Sequence, residues 1–172
     1  MKILFIRPII TKRPDYLEEE IILKFAPQGV EVKACHLKYG PSSIENEFDL
    51  CYSAPFVVEE AIRGEDQGFD GIVSYCFANP GVDACREAVN IPCLGSGEAS
   101  IALAATIGRR ISIISILPNI LPLIKKQNEE YIRMGKIVSV RYANLPVLDI
   151  SSNEDFALES LYNEAIKSIK ED

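Results

Sequence analysis

The sequence lacks an excess of positive charge. It contains 18 basic and 25 acidic residues, which gives a formal net charge of −7. Proteins that bind the phosphate backbone of nucleic acids need a basic face, and anionic membrane surfaces also attract basic segments. The composition therefore argues against nucleic-acid binding and against attachment to a membrane surface.

The sequence also lacks a long hydrophobic run. No apolar stretch approaches the roughly 20 residues that span a bilayer. The N-terminal MKILFIRP reaches Arg7 and Pro8 after four apolar residues, which is too short for the core of a signal peptide. Because 48% of the residues are hydrophobic, the chain has enough apolar material for a packed core. We expect a cytoplasmic protein of one domain or two small lobes.

Metal ligands and disulfide partners are scarce. The five cysteines are an odd number, no pair has the C-x-x-C spacing, and His36 is the single histidine. A structural zinc site needs four ligands at recognisable spacings, and disulfides are rare in the cytoplasm. We therefore predict free thiols and no metal site.

Short β-branched runs alternate with segments of helical periodicity along the whole chain. This alternation predicts an α/β fold built from parallel βαβ units. The predicted strands are residues 2–6, 30–37, 71–76, 91–96, 110–117 and 136–145. The predicted helices are residues 14–26, 53–68, 82–89, 97–108, 121–135 and 152–172, the last capped by Ser152 and Asn153, and residues 38–48 are a predicted loop.

Ligands of parallel sheets bind in the crevice outside the carboxyl ends of the strands. The groups that follow predicted strands are Arg7, the 38–44 loop, Cys76, Ser96 and Ser115. Among them, the thiol of Cys76 is the only strongly nucleophilic or basic group. The sequence therefore makes Cys76 the first candidate for chemistry.

A predicted helix follows Gly81, and its N-terminal end favours a nearby anion. We expect this setting to lower the pKa of the Cys76 thiol below its ordinary value of about 8.5. A thiolate there would act as a nucleophile or as a general base, and the amides of residues 77–79 would bind a carboxylate or enolate oxygen. The alternative is that Cys76 is a small buried apolar side chain.

The other sequence signals are weaker. GSGEAS (95–100) contains a Gly-x-Gly after a strand, but Ser100 stands where a dinucleotide loop has its third glycine. Incidental or core positions explain the remaining cysteines, which are Cys35, Cys51, Cys85 and Cys93.

Five stretches in order along the chain resemble the aspartate/glutamate/hydantoin racemase superfamily, and within it the hydantoin racemase branch. The Cys-Phe-x-x-Pro-Gly segment is the most specific of them. The stretches are KILFIRPIIT (2–11), GPSSIE (40–45), CFANPGVDACRE (76–87), IPCLGSGEAS (91–100) and GRRISIIS (108–115).

The resemblance implies two pseudo-symmetric, flavodoxin-like α/β lobes, here residues 1–107 with Cys76 and an incomplete second lobe at residues 108–172. It implies an isomerase, a cofactor-independent racemase or epimerase of hydantoins or amino acids. In this family one cysteine from each lobe faces the α-carbon of the substrate. One thiolate removes the α-proton while the other thiol donates a proton to the opposite face, and Cys76 matches the first of these cysteines.

The resemblance also implies substrate-binding residues. Phe77, Ala78 and Asn79 match the loop whose amides face the substrate, although relatives often carry Asp where this chain has Asn79. Ser115 falls where relatives place a hydroxyl residue. Arg7 replaces an asparagine that helps to hold the substrate in relatives, and we expect its guanidinium to favour a carboxylate over a neutral ring.

The second cysteine of the family has no counterpart in this sequence. In relatives it follows the helix that resembles residues 152–172, whereas no cysteine lies beyond Cys93 here. We expect the chain to be a fragment of a longer protein. The alternatives are completion by a second copy and a short form that has lost racemisation.

Two other functions are compatible with a single thiol. One is a decarboxylase or cis–trans isomerase of the same superfamily, and the other is a non-catalytic domain that binds small molecules. In each case the expected partner is a small molecule such as a hydantoin, an amino acid or a related carboxylate. The resemblance also allows a homodimer, which no sequence feature demonstrates.

Overall fold

The chain divides into two compact units in a computed structural model that describes residues 1–150 and 153–172. The first unit contains residues 1–44 and 48–100, and the second contains residues 45–47 and 101–172. The sequence placed the boundary after residue 107, whereas these units divide a few residues earlier, after Ser100.

The first unit is a parallel sheet connected by helices. Its strand order is β2-β1-β3-β4, with every neighbouring pair parallel. The elements are β1 (Lys2–Arg7), α1 (Tyr16–Leu23), β2 (Glu31–His36), α2 (Glu47–Asp66), β3 (Gly71–Ser74), α3 (Val82–Ala88), β4 (Cys93–Gly95) and the beginning of α4 (Ser96–Ile107). The parallel α/β architecture predicted from the sequence is confirmed.

The core of this unit lies where the central strands meet α2. Ile6 of β1 and Val57 of α2 are completely buried, and Ile72 of β3 is nearly so. Apolar side chains of this size each contribute about 1.5–3 kcal/mol when fully buried. The cluster consists of Leu4, Ile6, Leu37, Val57, Ala61, Phe69, Ile72, Cys85, Val89 and Cys93.

The strand order reverses its direction of growth at β1. The chain moves from β1 to β2 on one side and then returns to place β3 on the other side of β1. In doubly wound sheets such a reversal opens a crevice outside the carboxyl ends of the two strands concerned. The topology therefore predicts a ligand site among the residues that follow β1 and β3.

The second unit contains a two-stranded parallel sheet of β5 (Ile111–Ser115) and β6 (Ile137–Tyr142). Its remaining elements are a 3₁₀ turn (Pro118–Ile120), α5 (Leu121–Gln127), α6 (Glu129–Arg133), α7 (Val147–Ile150), α8 (Glu154–Glu171) and the rest of α4. Arg141 of β6 binds the carboxylates of Glu164 and Asp172 at 3.3 Å and 2.7 Å. This ion-pair network joins α8 to the sheet.

The beginning of α2 was predicted wrongly. The helix begins at Glu47, six positions before the predicted start at residue 53, and contains Pro55. The sequence Ser53-Ala54-Pro55 resembles a helix start, since proline is favoured in the first turn. Instead, the Ser53 hydroxyl donates to the Leu50 carbonyl at 2.9 Å, within the helix.

The helix predicted over residues 121–135 was also wrong, because it is interrupted at Asn128. This residue has non-helical backbone angles, φ −115° and ψ 19°, between α5 and α6. Its side-chain amide donates to the Ile124 carbonyl at 2.9 Å, so the break is stabilised locally. At α8 the predicted cap is confirmed for Asn153, whose Oδ1 accepts from the Phe156 amide at 3.2 Å. Ser152 lies outside the described residues.

Within residues 1–150 and 153–172, no helix is long and apolar enough to cross a membrane.

Candidate active site around Cys76

Cys76 lies directly after β3, at the reversal of the strand order. The strand ends at Ser74, and the Tyr75 amide still donates to the Ile6 carbonyl of β1 at 2.8 Å. The Cys76 amide then turns back and donates to the Ser74 carbonyl at 3.0 Å. The structure thus places the thiol at the carboxyl edge of the sheet, beside the end of β1.

The loop that carries Cys76 is closed by its own hydrogen bonds. The Asn79 amide donates to the Cys76 carbonyl at 3.0 Å, and the buried Ser74 hydroxyl donates to the Pro80 carbonyl at 2.9 Å. Asn79 and Gly81 have positive φ angles of 53° and 73°, a conformation that asparagine and glycine tolerate better than other residues. The loop is therefore a defined turn.

The side chain of Asn79 reaches the beginning of α4. Its Oδ1 accepts hydrogen bonds from the Gly97 amide at 2.8 Å and from the Glu98 amide at 3.1 Å. The Glu98 carboxylate in turn accepts from the Gly95 amide at 2.9 Å and binds Arg86. The Cys76 loop and the N-terminal end of α4 thus share one hydrogen-bond network.

The thiol of Cys76 is partly buried, and burial raises its pKa above the ordinary value. A hydrogen bond from the Ala78 amide acts in the opposite direction and offsets part of this effect. The expectation of a lowered pKa was therefore wrong. The helix behind the loop is only seven residues long and begins at Val82, so desolvation outweighs the N-terminal end of α3.

The amides of the loop are also less available than the sequence suggested. The Asn79 amide is already bonded to the Cys76 carbonyl, and the Ala78 amide donates to the Cys76 side chain. That the amides of residues 77–79 bind a substrate oxygen stays a prediction, and the Asn79 amide would have to give up its bond to the Cys76 carbonyl to do so. The Phe77 backbone belongs to the same turn, and its side chain is 37% exposed.

Arg7 ends β1, the strand that pairs with β3. Its Nη1 is 3.5 Å from the Glu18 carboxylate of α1, which Arg13 approaches to 3.3 Å. This Nη1 atom is buried and donates no hydrogen bond to a described residue. Because buried donors are normally bonded, Arg7 has a donor to offer to a ligand, while Glu18 already compensates its charge.

The remaining residues named from the sequence do not follow β1 or β3. Ser115 ends β5 in the second unit, where its carbonyl accepts from the Ala143 amide at 2.9 Å. His36 ends β2, and its Nδ1 is 2.9 Å from the Asp15 carboxylate. The remaining thiols are free: Cys85 and Cys93 are buried, Cys35 is partly buried and Cys51 is exposed.

A metal site and a dinucleotide loop are two other kinds of ligand site that the sequence raises. Among the residues that the structure describes, no group of three or more His, Cys, Asp or Glu side chains is placed to hold a metal. At the Gly-x-Gly of residues 95–97, the amides of Gly97 and Glu98 point to Asn79. A dinucleotide loop would need such amides for phosphate, and here the protein itself uses them.

Comparison with known proteins identifies the family. The profile of the family described as Asp/Glu/Hydantoin racemase matches residues 17–172. The chain belongs to this racemase family. The match includes the whole Cys76 loop and both glycines of the α4 start.

Individual relatives agree with this assignment. A curated hydantoin racemase from Pseudomonas sp. (strain NS671) is 31% identical over 172 residues, which cover 100% of this chain and 69% of the relative. A hydantoin racemase from Rhizobium meliloti is 34% identical over 148 residues, 86% of this chain and 61% of the relative. The solved structure of an allantoin racemase from Klebsiella pneumoniae has a TM-score of 0.93 and 29% identity, covering 99% of this chain and 70% of that one.

The family resemblance predicted from the sequence is thereby confirmed, and with it the fold and the enzyme class, an isomerase of the racemase type. The roles of individual residues in this racemase family member stay predictions for Cys76, Arg7, Phe77, Ala78, Asn79 and Ser115.

The raised pKa of Cys76 has a measurable consequence. Because only the thiolate reacts, alkylation of Cys76 by iodoacetamide should increase about tenfold per pH unit through neutral pH. The rate should level off at a higher pH than that of N-acetylcysteine, measured in parallel, since burial disfavours the charged form. Peptide mass spectrometry distinguishes Cys76 from the other four thiols. A plateau at lower pH than the free amino acid derivative would contradict this result.

Proposed function

We propose that this chain catalyses α-proton transfer on hydantoins, with the thiol and thiolate of Cys76 as acid and base. The observation that carries the proposal is the position of Cys76 at the carboxyl end of β3, next to the end of β1, where doubly wound sheets bind ligands. Hydantoin racemases and an allantoin racemase among the relatives support this substrate class.

The first step is removal of the ring α-proton by the Cys76 thiolate. The electron pair of the C–H bond moves into the adjacent carbonyl, which becomes an enolate oxygen, and the sulfur becomes a thiol. The raised pKa of Cys76 makes the thiolate scarce at neutral pH but also makes it a stronger base once formed. The thiol then trades this proton for one from solvent. Return of the solvent-derived proton to the α-carbon re-forms the C–H bond and the carbonyl, regenerates the thiolate and completes exchange on that face.

The enolate oxygen needs a preorganised donor, since such stabilisation is commonly the largest contribution to catalysis of this kind. The buried Nη1 of Arg7 is one such donor, because it makes no hydrogen bond to the described residues. The Phe77 amide at the start of the Cys76 turn is the second donor that we propose. Ala78 and Asn79 would act through the turn, with their amides directed to Cys76.

Arg7 also bears on the choice of substrate. A free guanidinium would favour a dicarboxylic amino acid, as expected from the sequence, but Glu18 already lies against Arg7. The charge of Arg7 is thus compensated, while its Nη1 still offers one donor. Such a donor suits the carbonyl of a neutral ring better than it suits a second carboxylate. The ion pair therefore supports hydantoins over aspartate or glutamate.

Inversion of the α-carbon requires an acid on the opposite face. Cys35, Cys51, Cys85 and Cys93 do not belong to the Cys76 turn, and none of them is assigned this role. Ser115 stays a predicted substrate ligand. The step that Cys76 carries out by itself is exchange of the α-proton with solvent, with the configuration retained.

The remaining expectations are of a broader kind. The proposed partner is a small molecule, since a net charge of −7 disfavours nucleic acid and anionic membranes. Independence from cofactors, a homodimer and a cytoplasmic location stay predictions from the sequence and the family.

The proposal is tested with single enantiomers of 5-substituted hydantoins in heavy water under reducing conditions. Proton NMR should show loss of the α-proton signal faster than without enzyme, and the rate should persist after dialysis against EDTA. Chiral chromatography of the same samples reports whether inversion accompanies exchange. Aspartate and glutamate should keep their α-protons. Exchange no faster than background on every hydantoin would refute the proposed function.

A further inference from the structure

Helix α4 begins without a capping side chain of its own. The residue before its first turn is Gly95, which has no side chain. Helices normally place Ser, Thr, Asp or Asn there, and the side-chain oxygen accepts from the second or third amide of the helix. In α4 these amides belong to Gly97 and Glu98, and they need an acceptor from elsewhere.

Asn79 supplies the missing oxygen from the Cys76 turn. Its Oδ1 accepts from the amides of Gly97 and Glu98 at 2.8 Å and 3.1 Å. We propose that Asn79 is a positioning residue, which fixes the turn bearing Cys76 by acting as the N-cap of α4 across the loop. Capping and placement of the thiol are then one interaction rather than two.

The fit between the turn and the helix supports this role. A Cβ atom on Gly97 would overlap the Phe77 carbonyl oxygen and Oδ1 of Asn79, and a Cβ on Gly95 would meet the Asn79 side chain. Both glycines therefore leave the space in which the turn rests on the helix. Such close backbone approach is one of the uses of glycine, and here it accounts for the Gly-x-Gly of residues 95–97.

Two anchors thus hold the turn on either side of the thiol. At its beginning and end, the Ser74 hydroxyl binds the Pro80 carbonyl at 2.9 Å within the unit core. On its outer side, Asn79 binds α4. Asn79 also closes the turn, because its amide donates to the Cys76 carbonyl. Loss of the bonds between Asn79 and α4 would therefore free the turn close to Cys76.

Asparagine meets three requirements at this position. It tolerates the left-handed backbone, with φ 53°, it carries a side-chain acceptor, and it is neutral. Aspartate would meet the first two and would add a negative charge to the turn of a thiol that must ionise. Glycine would meet the first and the third and lacks only the acceptor, so these two substitutions separate capping from charge.

The experiment compares Asn79→Gly with Asn79→Asp and with a control, Glu98→Ala. The control removes the acceptor of the Gly95 amide and of the Arg86 guanidinium at the same helix start. It keeps the backbone amides of Gly97 and Glu98 that donate to Asn79. Both Asn79→Gly and Glu98→Ala should lower the melting temperature by about 2–4 °C, whereas Asn79→Asp should not. Because the two variants should lose similar stability, any further difference between them is not caused by lower stability.

Alkylation of Cys76 then separates positioning from stability. In Asn79→Gly the freed turn exposes the thiol and weakens the desolvation that disfavours the thiolate, so its iodoacetamide rate at neutral pH should increase about tenfold. Glu98→Ala should keep the wild-type rate, and Asn79→Asp should show the wild-type rate or a slower one. If Asn79→Gly matches Glu98→Ala in both stability and alkylation, Asn79 is only a helix cap and the inference fails.

Proton exchange on hydantoin provides a second readout, and this part rests on the proposed function. Asn79→Gly should exchange about 10²-fold more slowly than wild type, because misplacement of the base by about 1 Å is that costly. A faster-alkylated but slower-exchanging thiol is the signature of lost position. A second outcome separates the two proposals. If Asn79→Gly shows the faster alkylation but the wild type exchanges no hydantoin proton, positioning by Asn79 is supported and the proposed reaction is refuted.

Discussion

Replacement of Cys76 by serine is expected to reduce hydantoin α-proton exchange by about 10²–10⁴-fold, the usual contribution of a general base. Serine preserves the size and the hydrogen-bonding geometry of the turn, and the Ala78 amide keeps an acceptor. The hydroxyl, however, does not ionise near neutral pH and cannot take the α-proton. Heavy-water NMR measures the loss, with circular dichroism to establish that the variant is folded.

The matched control for this variant is Cys51→Ser. Cys51 is a free thiol on α2 that is exposed to solvent, so the same chemical change there should leave exchange unaltered. Equal exchange by wild type and Cys76→Ser would mean that another group takes the proton. A parallel loss in both variants would point to a general requirement for thiols and not to this turn.

Position along the sheet was predictable because it depends on local patterns. Apolar β-branched runs at residues 2–6 and 71–76 predicted β1 and β3, which the structure places side by side. The rule that ligands bind at the carboxyl ends of parallel strands then selected Arg7 and Cys76. Both lie where the strand order reverses, so the location of the candidate site followed from the sequence alone.

Local signals that compete with one another were misleading. The predicted helix starts at residue 53, two positions before Pro55, but α2 runs from Glu47 through this proline. The other turns of a long helix compensate for the one hydrogen bond that proline removes. Nothing in the sequence marked Asn128 as a helix end. The helix is nevertheless interrupted there, and the Asn128 side chain donates to the Ile124 carbonyl. Element boundaries of this kind depend on a few hydrogen bonds that apolar periodicity does not report.

Interactions between residues far apart in the sequence determine the chemistry of the site, and the sequence did not predict them. The sequence identified Asn79 through its amide, whereas the structure employs its side chain on Gly97 and Glu98, 18 and 19 positions further along the chain. The pairing of Arg7 with Glu18 and the burial of Cys76 are likewise tertiary. One signal was available: a Gly-x-Gly without its third glycine, which indicates close backbone approach rather than a phosphate.

Replacement of Gly97 by alanine should have the second large effect, and its sign depends on this close approach. In an unconstrained helix, alanine would be more stable than glycine by about 0.5–1 kcal/mol. Here the new methyl group overlaps the Phe77 carbonyl oxygen, a backbone atom that moves only with the Cys76 turn. Overpacking of this kind costs about 1–3 kcal/mol, so we expect a net loss of stability of about 1–2 kcal/mol, measured by denaturant unfolding.

In Gly97→Ala the rate of hydantoin α-proton exchange should also fall, by about 10²-fold, because the displaced group is the base itself. This fall is larger than the loss of folding stability would explain. Gly64→Ala is the matched control: Gly64 is also a buried helical glycine, but its Cβ would meet the Ile72 and Leu4 side-chain ends. Those methyl groups can rotate away, so exchange should survive any loss of stability there. If Gly97→Ala exchanges like Gly64→Ala, the turn tolerates displacement, and the tight contact between Phe77 and α4 does not position Cys76.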